Sequence, residues 1–333
     1  MNKILSVSIA AYNVEKTLKK TLSSLNDSRV YDDLEVLIID DGSKDNTKEI
    51  AEQFVKKAPQ TFKYVHKENG GHGSTINKGI EVARGKYFKV LDGDDWFDTE
   101  ALVEFVKKLK EQDSDLVLTD YEEIYTDHKK KVNLISNMIP GRRYSWKDNL
   151  DIKRVVLHTL TVKTELLRKN NVHIMENSFY VDVEFVVWAA YVSKTITYFD
   201  IYLYMYRLGN QNQSVAKSNM LKNIEMQRKV SLDLVKMYDL FRNKGNMFPN
   251  QEVTIFNTFK RSVGSTMRTY LLMPNKVAKK NIIKYDREIE KKSIVSYQRL
   301  NDDKFIYLIR KSNYFIIPGL KVLYRIWVMK YGY

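Results

Sequence analysis

The chain has 333 residues, of which 44% are hydrophobic, and this length can form one large domain or two of medium size with a substantial core. The sequence contains no cysteine, which excludes disulfide bonds, zinc-thiolate sites and thiol catalysis. The formal net charge of +14 is uneven: residues 216–333 hold 24 Lys and Arg against 9 Asp and Glu, whereas residues 1–215 hold 31 against 32. A basic surface attracts nucleic acid, anionic lipid or an acidic polymer, and charge alone does not select among them.

The sequence shows no recognisable signal for export or membrane insertion. Met1-Asn2-Lys3 leads directly into a strand-like run, so we expect no signal peptide. No stretch reaches the length of about 18 apolar residues that a membrane span needs. The absence of cysteine suits a reducing compartment. We therefore expect a cytoplasmic protein, either free or lying on the inner face of the cell membrane.

Strands and helices alternate through the first part of the sequence. The predicted strands are residues 4–11, 34–39, 62–66, 87–91 and 115–121, and the predicted helices begin near residues 18, 47, 74 and 99. Asn46 or Thr47 is expected to cap the second helix, and Thr99 the fourth. This alternation with short connections is typical of an α/β fold with a doubly wound, mostly parallel sheet.

The next segments give weaker patterns. They are a solvated loop at 129–131, a partly helical segment at 148–169, a helix at 180–192, a strand at 195–207 and a polar turn at 207–214. Asp182 and Glu184 fall in the first turn of the predicted helix, where the helix dipole favours a carboxylate. From residue 216 long helical patterns with basic faces run to the end. We therefore divide the chain into a domain at 1–215 and a mainly helical basic region at 216–333.

The last segment of the chain combines apolar and basic residues at helical spacing. Leu323 and Ile326 lie among Lys321, Arg325 and Lys330. Such a helix can lie on an anionic membrane surface. The same periodicity is also typical of a helix that packs on its own domain or on a second subunit of a homodimer. The sequence leaves these interpretations open.

Carboxylates follow directly after the strand predicted at 87–91. Asp92, Asp94 and Asp95 stand at its carboxyl end, where open α/β sheets bind their ligands. Like charges this close repel each other unless a cation joins them, and a hard divalent cation that also contacts substrate phosphates meets that need. A solvated acidic turn is the alternative. Asp41, after the second strand, is expected at the same edge of the sheet.

Several segments follow the order and spacing of one known family. They are Ser8-Ile9-Ala10-Ala11-Tyr12-Asn13, Ile39-Asp40-Asp41-Gly42-Ser43-Lys44-Asp45-Asn46-Thr47, Asn69-Gly70-Gly71, Asn77-Lys78-Gly79-Ile80, Gly85-Lys86-Tyr87 leading to Asp92-Gly93-Asp94-Asp95, Tyr180-Val181-Asp182-Val183-Glu184-Phe185, and Tyr204-Met205-Tyr206-Arg207. In these segments the chain resembles the family 2 glycosyltransferases, which are inverting enzymes with the GT-A fold. The resemblance implies a Rossmann-like, mostly parallel sheet flanked by helices over about residues 3–215.

The resemblance also implies roles for individual residues. The expected donor-binding residues are Ala10, Ala11, Tyr12, Asp41, Asn69, Gly71, His72, Asn77, Asp92, Gly93 and Arg207. Asp41 as the acceptor for a uracil N–H and Tyr12 as a stacking surface are chemically sensible. Asp92-Gly93-Asp94 is similar to the D-x-D signature, which holds Mn²⁺ or Mg²⁺ against the donor pyrophosphate, so Asp94 and Asp92 are the expected metal ligands. Asp182 occupies the general-base position.

Some positions depart from the family pattern or stay open. Many relatives carry an arginine where this chain has Ile76, and a glutamate where it has Val181. Asp95 either supports the metal ligands or faces the acceptor. His72 either contacts the donor or fits a turn. We expect core or surface roles for three histidines without ligand spacing: His66, His158 and His173.

The implied activity is transfer of a sugar from a UDP-sugar to a hydroxyl group of a cell-surface polysaccharide, a teichoic acid or a lipid-linked precursor. We expect no nucleic-acid partner. One alternative is transfer to a glycoprotein. A nucleotidyltransferase is another, although Ala10-Ala11-Tyr12-Asn13 stands where its phosphate loop would be. A binding protein without catalysis is the third, but it would not need Asp41, Asp92 and Asp182 on one face.

Overall fold

The computed structural model of the protein describes residues 3–209 and 217–331, with side chains at the carboxyl end described as far as Ile326. The chain forms two compact units, Met1–Gly209 and Asn210–Tyr333. The expected polar turn beyond Gly209 and the expected boundary at 215/216 lie outside the described residues. The division into 1–215 and 216–333 therefore stays a prediction.

The first unit is built on one sheet, which has ten strands within the described residues. The strands are β1 (Leu5–Ala11), β2 (Leu34–Asp40), β3 (Phe62–His66), β4 (Tyr87–Asp92), β5 (Trp96–Phe97), β6 (Leu116–Ile124), β7 (Lys129–Val132), β8 (Arg143–Ser145), β9 (Leu160–Lys163) and β10 (Thr195–Arg207). The helices are α1 (Leu18–Ser24), α2 (Thr47–Lys57), α3 (His72–Val82), α4 (Thr99–Lys110), α5 (Thr164–Lys169) and α6 (Asp182–Val192).

The sheet is mostly parallel, as the alternation of strands and helices predicts. Its order is β3-β2-β1-β4-β9-β6-β10-β5, with β7 paired to β6 and β8 paired to β10. β1 runs parallel to β2 and β4, and β6 runs parallel to β10, whereas β9 is antiparallel to both of its neighbours. One buried core cluster joins β1 to the helices through apolar side chains that include Leu5, Val7, Ile9, Leu18, Leu22, Leu102 and Phe105.

The register of the strands brings three predicted site segments to one edge. Ala11 of β1 pairs with Asp40 of β2, and Ala10 pairs with Asp92 of β4. The residues that directly follow these three strands are Tyr12, Asp41 and Gly93. They therefore lie at the carboxyl edge of the sheet, where ligands bind in open α/β folds.

The expected loop at Lys129–Lys131 is wrong. These residues belong to β7, which pairs antiparallel to β6 so that Lys130 lies opposite Glu123. The Lys130 ammonium is 3.2 Å from the Glu123 carboxylate. Opposite charges across neighbouring strands stabilise such a pair, and lysines are common on exposed edge strands. The lysine run is solvated, as expected, but it is a strand.

Two helix starts also differ from the expectation. The carboxylate of Asp98, and not Thr99, caps α4 by accepting the N–H of Ala101 at 2.9 Å. Helix α3 begins at His72, two residues before the expected Ser74. The expected helical content of 148–169 is limited to α5 and a short 3₁₀ turn at Leu157–Thr159.

The described part of the second unit is helical, with no strand among its residues, as expected. Its helices are α7 (Lys217–Lys222), α8 (Ile224–Asn243), α9 (Pro249–Leu271), α10 (Asn275–Lys292), α11 (Ile294–Arg299), α12 (Lys304–Lys311) and α13 (Ile317–Tyr331). In neither unit does a described helix combine the length and apolar character needed to cross a membrane.

Candidate active site

Asp41 organises the glycine-rich loop that follows β3. Its carboxylate is 2% exposed and accepts the backbone N–H groups of Gly70 at 2.9 Å and Gly71 at 2.8 Å. It also accepts a hydrogen bond from the Lys67 ammonium at 2.7 Å. The Asn69 amide donates to the backbone carbonyl of Asp41 at 3.0 Å. Asp41 thus has a structural task in holding this loop, and its contact with a nucleotide base stays a prediction.

The glycine-rich loop approaches a second loop closely. Gly71 has a φ of 79°, a conformation that glycine adopts without strain, and it precedes the first turn of α3. The N–H of Asn177 donates to the carbonyl of Gly70 at 2.6 Å. A Cβ atom on Gly73 would lie 2.0 Å from the carbonyl oxygen of Met175. Only glycine at position 73 therefore lets the two loops meet.

Asn77 strengthens the same connection. Its amide nitrogen donates to the carbonyl of Ile174 at 2.9 Å and to the Glu176 carboxylate at 3.0 Å, and its amide oxygen accepts the N–H of Ile174 at 2.8 Å. Both amide hydrogens are therefore used within the protein. The structure gives Asn77 a structural role that the sequence did not indicate, and donor binding by Asn77 is an expectation without support from these contacts.

The second loop leads into α6 and places Asp182 at its first position. Tyr180, two residues earlier, has a φ of 66°, which is uncommon for a side chain of this size. Glu184 accepts the N–H of Met175 at 2.9 Å, which ties the first turn of α6 back to the loop. Asp182 is partly buried there. The predicted base thus stands on a helix start that several contacts hold in place.

A hydrogen-bond network connects the end of β4 with the end of β10. Nε2 of His72 lies 2.9 Å from the carboxylate of Asp92. The Tyr204 hydroxyl accepts the N–H of Asp92 at 3.2 Å and donates to the Asp95 carboxylate at 2.7 Å. The N–H of Arg207 also donates to Asp95, at 2.7 Å. Asp95 is 2% exposed, so the structure does not favour its contact with an acceptor.

The carboxyl groups of the site influence one another. Burial raises the pKa of Asp94 and of Asp95, and the charge of Asp92 raises both pKa values further. Burial also raises the pKa of Asp182, with His72 opposing and Asp92 adding to the effect. Burial would raise the pKa of Asp92, but the adjacent His72 holds that pKa below its usual value. The fold therefore brings Asp182 into the same electrostatic environment as the β4 carboxylates.

His158 belongs to this site, which corrects the expectation of a purely core or surface role. Ligand atoms of Asp92, Asp95 and His158 all lie within 4.8 Å of one another. The His158 ring packs against Tyr204 and Tyr206, with centroids 4.6 Å and 4.1 Å away. Burial lowers the pKa of His158 to about 4, so the imidazole is neutral at physiological pH. No sequence spacing links His158 to the carboxylates, because it lies in the 3₁₀ turn before β9, far from them along the chain.

The potential ligand atoms of this cluster suit a divalent cation. Carboxylate oxygens suit Mn²⁺ and Mg²⁺, and a neutral imidazole nitrogen can also bind a metal. Burial raises the pKa values of Asp94 and Asp95, and repulsion from neighbouring carboxylates adds to the rise; a cation would relieve that repulsion. Among the described residues, this group contains Asp92, as expected, with Asp95 and His158 in place of the expected Asp94. Asp94 as a ligand stays a prediction.

A buried lysine holds the backbone around His158 in place. Lys89 is fully buried in the middle of β4, and its amino group donates to the carbonyls of His158 at 2.9 Å and Leu160 at 3.1 Å. Burial lowers the pKa of Lys89 to about 7. This residue lies in the strand predicted at 87–91, and the alternation of the strand gave no sign that it would act as a support.

The other expected donor residues lie around the carboxylates. The N–H of Gly93 donates to the carbonyl of Ala10 at 3.0 Å, and a Cβ on Gly93 would approach that oxygen to 2.8 Å. Tyr12, after the buried Ala11, is 50% exposed. Nε of Arg207 donates to the carbonyl of Asp94 at 2.9 Å. The fold brings these residues to one edge, and their contacts with a donor stay predictions.

Comparison with known sequences gives a consistent result. Residues 6–170 match the sequence model of the family described as Glycosyl transferase family 2. EpsH of Bacillus subtilis (strain 168), which is provisionally assigned as a glycosyltransferase, is 29% identical over 219 residues, covering 61% of this chain and 60% of EpsH. Glycosyltransferase GlyG of Streptococcus pneumoniae serotype 4 is 31% identical over 122 residues, covering 36% of this chain and 40% of GlyG. The chain thus spans less than two thirds of each of these relatives.

Comparison with solved structures supports the fold. Residues 1-349 of S. aureus TarS, in complex with UDP-GlcNAc, superpose with a TM-score of 0.57 and 19% identity over 90% of both chains. The mannosyltransferase PcManGT from Pyrobaculum calidifontis, in complex with GDP-Man and Mn²⁺, gives a TM-score of 0.51 and 12% identity over 97% of this chain and 88% of that one. The predicted GT-A fold is confirmed.

Proposed function

Through residues 6–170 the chain belongs to glycosyl transferase family 2, and we propose that it is a metal-dependent, inverting glycosyltransferase that moves a sugar from a UDP-sugar to a hydroxyl group of a cell-surface glycan. The observation that carries the proposal is the convergence of Asp182 with the carboxylates after β4. Burial and the charges of His72 and Asp92 all act on the Asp182 carboxyl group. A strand-end acidic cluster can hold a cation against a leaving nucleoside diphosphate, and a separate carboxylate can accept the proton of the attacking hydroxyl.

Asp182 is the proposed general base. Its carboxylate accepts the proton of the acceptor hydroxyl as that oxygen attacks the anomeric carbon, and the bond from this carbon to the UDP oxygen breaks. One displacement of this kind inverts the configuration at the carbon. A raised pKa brings Asp182 nearer to the operating pH, where a general base works best. The loop contacts of Glu184 keep the start of α6 in place during this step.

The donor is proposed to lie along the carboxyl edge of the sheet. Tyr12 provides an exposed aromatic face for the nucleotide base, and Asp41, which holds the glycine-rich loop, follows the neighbouring strand. Asp92, Asp95 and His158, with Asp94, are the proposed residues that hold Mn²⁺ or Mg²⁺. The cation supplies positive charge for the pyrophosphate of the leaving UDP.

The choice of donor and acceptor draws on the relatives. TarS binds UDP-GlcNAc and PcManGT binds GDP-Man. We propose a UDP-sugar because the TarS superposition has the higher TM-score. A polysaccharide, a teichoic acid or a lipid-linked precursor would provide the acceptor hydroxyl, and the excess of Lys and Arg in residues 216–333 suits an acceptor that carries phosphate.

The test is release of UDP from UDP-GlcNAc and other UDP-sugars, and of GDP from GDP-Man, in the presence of Mn²⁺, Mg²⁺ or EDTA. We expect turnover of one UDP-sugar and its loss in EDTA. Asp182→Asn should lower kcat by about a hundredfold to ten-thousandfold, the usual contribution of a general base. Because the amide keeps the size of the side chain, donor binding measured by calorimetry should be unchanged.

The matched control is Asp127→Asn, which makes the same chemical change at an exposed acid in the loop after β6. It should leave both kcat and donor binding unchanged. Full acceptor-dependent transfer by Asp182→Asn would overturn the assignment of the base. Turnover of GDP-Man alone would overturn the choice of UDP, and absence of turnover with every donor and metal would overturn the enzymatic proposal.

A further inference from the structure

An exposed apolar stripe lies on the last helix of the second unit. Val322, Leu323 and Ile326 share one face of α13 and are 58%, 64% and 52% exposed. Phe315, two residues before the start of this helix, is 74% exposed. Large apolar side chains scattered singly on a surface need no explanation, but a continuous stripe of them marks an interaction site.

A different face of α13 holds this helix to its own unit. Ile317 is fully buried, and Lys321, one turn further along, donates from its ammonium to the carbonyl of Met273. Ile317 and Lys321 are four residues apart and therefore lie on one side of the helix. The exposed stripe is thus not needed to cover the core.

Lysines of α10 lie beside Phe315 and the start of α13, the helix that carries the stripe. A groove of about 430 Å³ lies beside the start of α13, and its lining residues are Asn275, Lys276, Lys279, Lys280, Ile283 and Pro318. The ammonium of Lys279 lies 4.8 Å from the centre of the Phe315 ring. No carboxylate is found among the described residues that line this groove. Positive charge and exposed apolar surface therefore occur side by side.

We propose that the groove lysines and the apolar stripe together form a face that docks on an anionic lipid bilayer. Apolar side chains of an interfacial helix enter the boundary between headgroups and acyl chains, while lysines beside them attract anionic headgroups. A site that only neutralises phosphates would not need the exposed apolar side chains of Phe315 and Leu323. A second copy of the chain is disfavoured as the occupant, because residues 216–333 carry 24 basic against 9 acidic residues and would repel their like.

This lipid-docking face does not depend on the proposed reaction, since it lies wholly in the second unit. Docking would hold the enzyme at a surface where lipid-linked acceptors are concentrated. Binding can be measured without any donor, metal or turnover. Failure of the glycosyltransferase proposal and failure of the docking proposal therefore give separate results.

The test is co-sedimentation of the full chain with vesicles of phosphatidylcholine alone and with mixed vesicles of phosphatidylcholine and phosphatidylglycerol. We expect binding to the mixed vesicles that weakens as salt is added, and little binding to the neutral ones. Lys276→Gln with Lys279→Gln, and separately Leu323→Ser, should each weaken binding by about tenfold, because both charge and apolar insertion contribute.

Two matched controls test whether vesicle binding depends on this particular surface or only on net charge and general hydrophobicity. Lys291→Gln with Lys292→Gln removes the same charge at the opposite end of α10, and Leu308→Ser removes an exposed leucine from α12. Neither should change vesicle binding. Equal losses in the two lysine pairs, or equal binding to neutral vesicles, would overturn the proposal. Self-association in solution that Leu323→Ser abolishes would assign the stripe to a second copy instead.

Discussion

Buried carboxylates have opposite surroundings in the two units of the molecule. In the first unit, Asp94 and Asp95 lie beside another carboxylate, and burial with like charge raises the pKa of both. In the second unit, the fully buried Asp286 accepts hydrogen bonds from the Arg310 guanidinium, the shortest at 2.7 Å, and from the Tyr314 hydroxyl at 2.8 Å. Asp94 and Asp95 therefore repel their neighbours, whereas the charge of Asp286 is neutralised by Arg310.

This difference indicates that the buried charge of the second unit stabilises the fold, whereas the carboxylates of the first unit are available for chemistry. Repulsion between carboxylates destabilises a folded chain unless a ligand relieves it, so such a cluster is a candidate functional site. A buried carboxylate with a matched guanidinium stabilises its surroundings only as long as both partners remain. Substitutions at the two sites should therefore change stability in opposite directions.

The largest effect on stability is expected when the buried pair in the second unit is broken. Arg310→Met leaves Asp286 buried without its guanidinium partner and should destabilise the protein by about 3 kcal/mol or more. Differential scanning calorimetry measures the loss as a lower unfolding temperature. Arg325→Met, at an exposed position on α13, is the control and should change stability by less than about 0.5 kcal/mol. An equal, small change in both variants would contradict the stabilising role of the pair.

A buried carboxylate of the first unit that does have partners extends the comparison. Burial would raise the pKa of Glu35, but hydrogen bonds from Lys63, Ser6 and Arg84 lower the pKa to about 2. The unfolded chain has a glutamate pKa of about 4.3. A pKa that is lower in the folded state stabilises the protein above the unfolded value, and this stabilisation is lost as pH falls toward the folded value. Its size is on the order of 3 kcal/mol.

The measurement for Glu35 is urea unfolding of the wild type and of Glu35→Gln at several pH values. The wild type should be the more stable at pH near 7, and the gap should shrink as pH falls through about 4 toward about 2. Glu104→Gln, at a side chain that is 55% exposed on α4, should show no such pH-dependent gap. A gap that stays constant with pH would show that charge on Glu35 does not contribute.

The smallest effect on stability, with the opposite sign, is expected at the acidic cluster. Asp94→Asn removes one of the repelling charges and should stabilise the protein by about 1 kcal/mol while it lowers sugar transfer, a common trade between stability and function. The thermal midpoint measured in EDTA tests the stability effect, and UDP release measured with Mn²⁺ on the same preparation tests the effect on transfer. Asp127→Asn should change neither quantity. A lower thermal midpoint for Asp94→Asn would mean that the cluster is not under repulsion.

Much of the fold and part of the site can be predicted from the sequence. Period-two and period-3.6 patterns predict β1, β2, β4 and the helices between them, because the local spacing of apolar residues reveals which face is buried. Asp41 and Asp92 are marked by their positions after strands, whereas Asp182 is proposed as the base through the resemblance to a known family. The lysine run of β7 is misread as a loop, since its pairing with Glu123 depends on a partner strand that local composition does not reveal.

The rest of the site was decided only by the tertiary structure. His158 reaches Asp92 and Asp95 because β9 inserts between β4 and β6, an arrangement with no sequence spacing to mark it. The task of Asn77, which joins α3 to Ile174, likewise depends on two loops that meet in space. Sequence determined which residues stand at the ends of strands, because alternation and turns are local properties. Tertiary structure decided which side chains meet there, because sheet order and loop packing depend on contacts between distant parts of the chain.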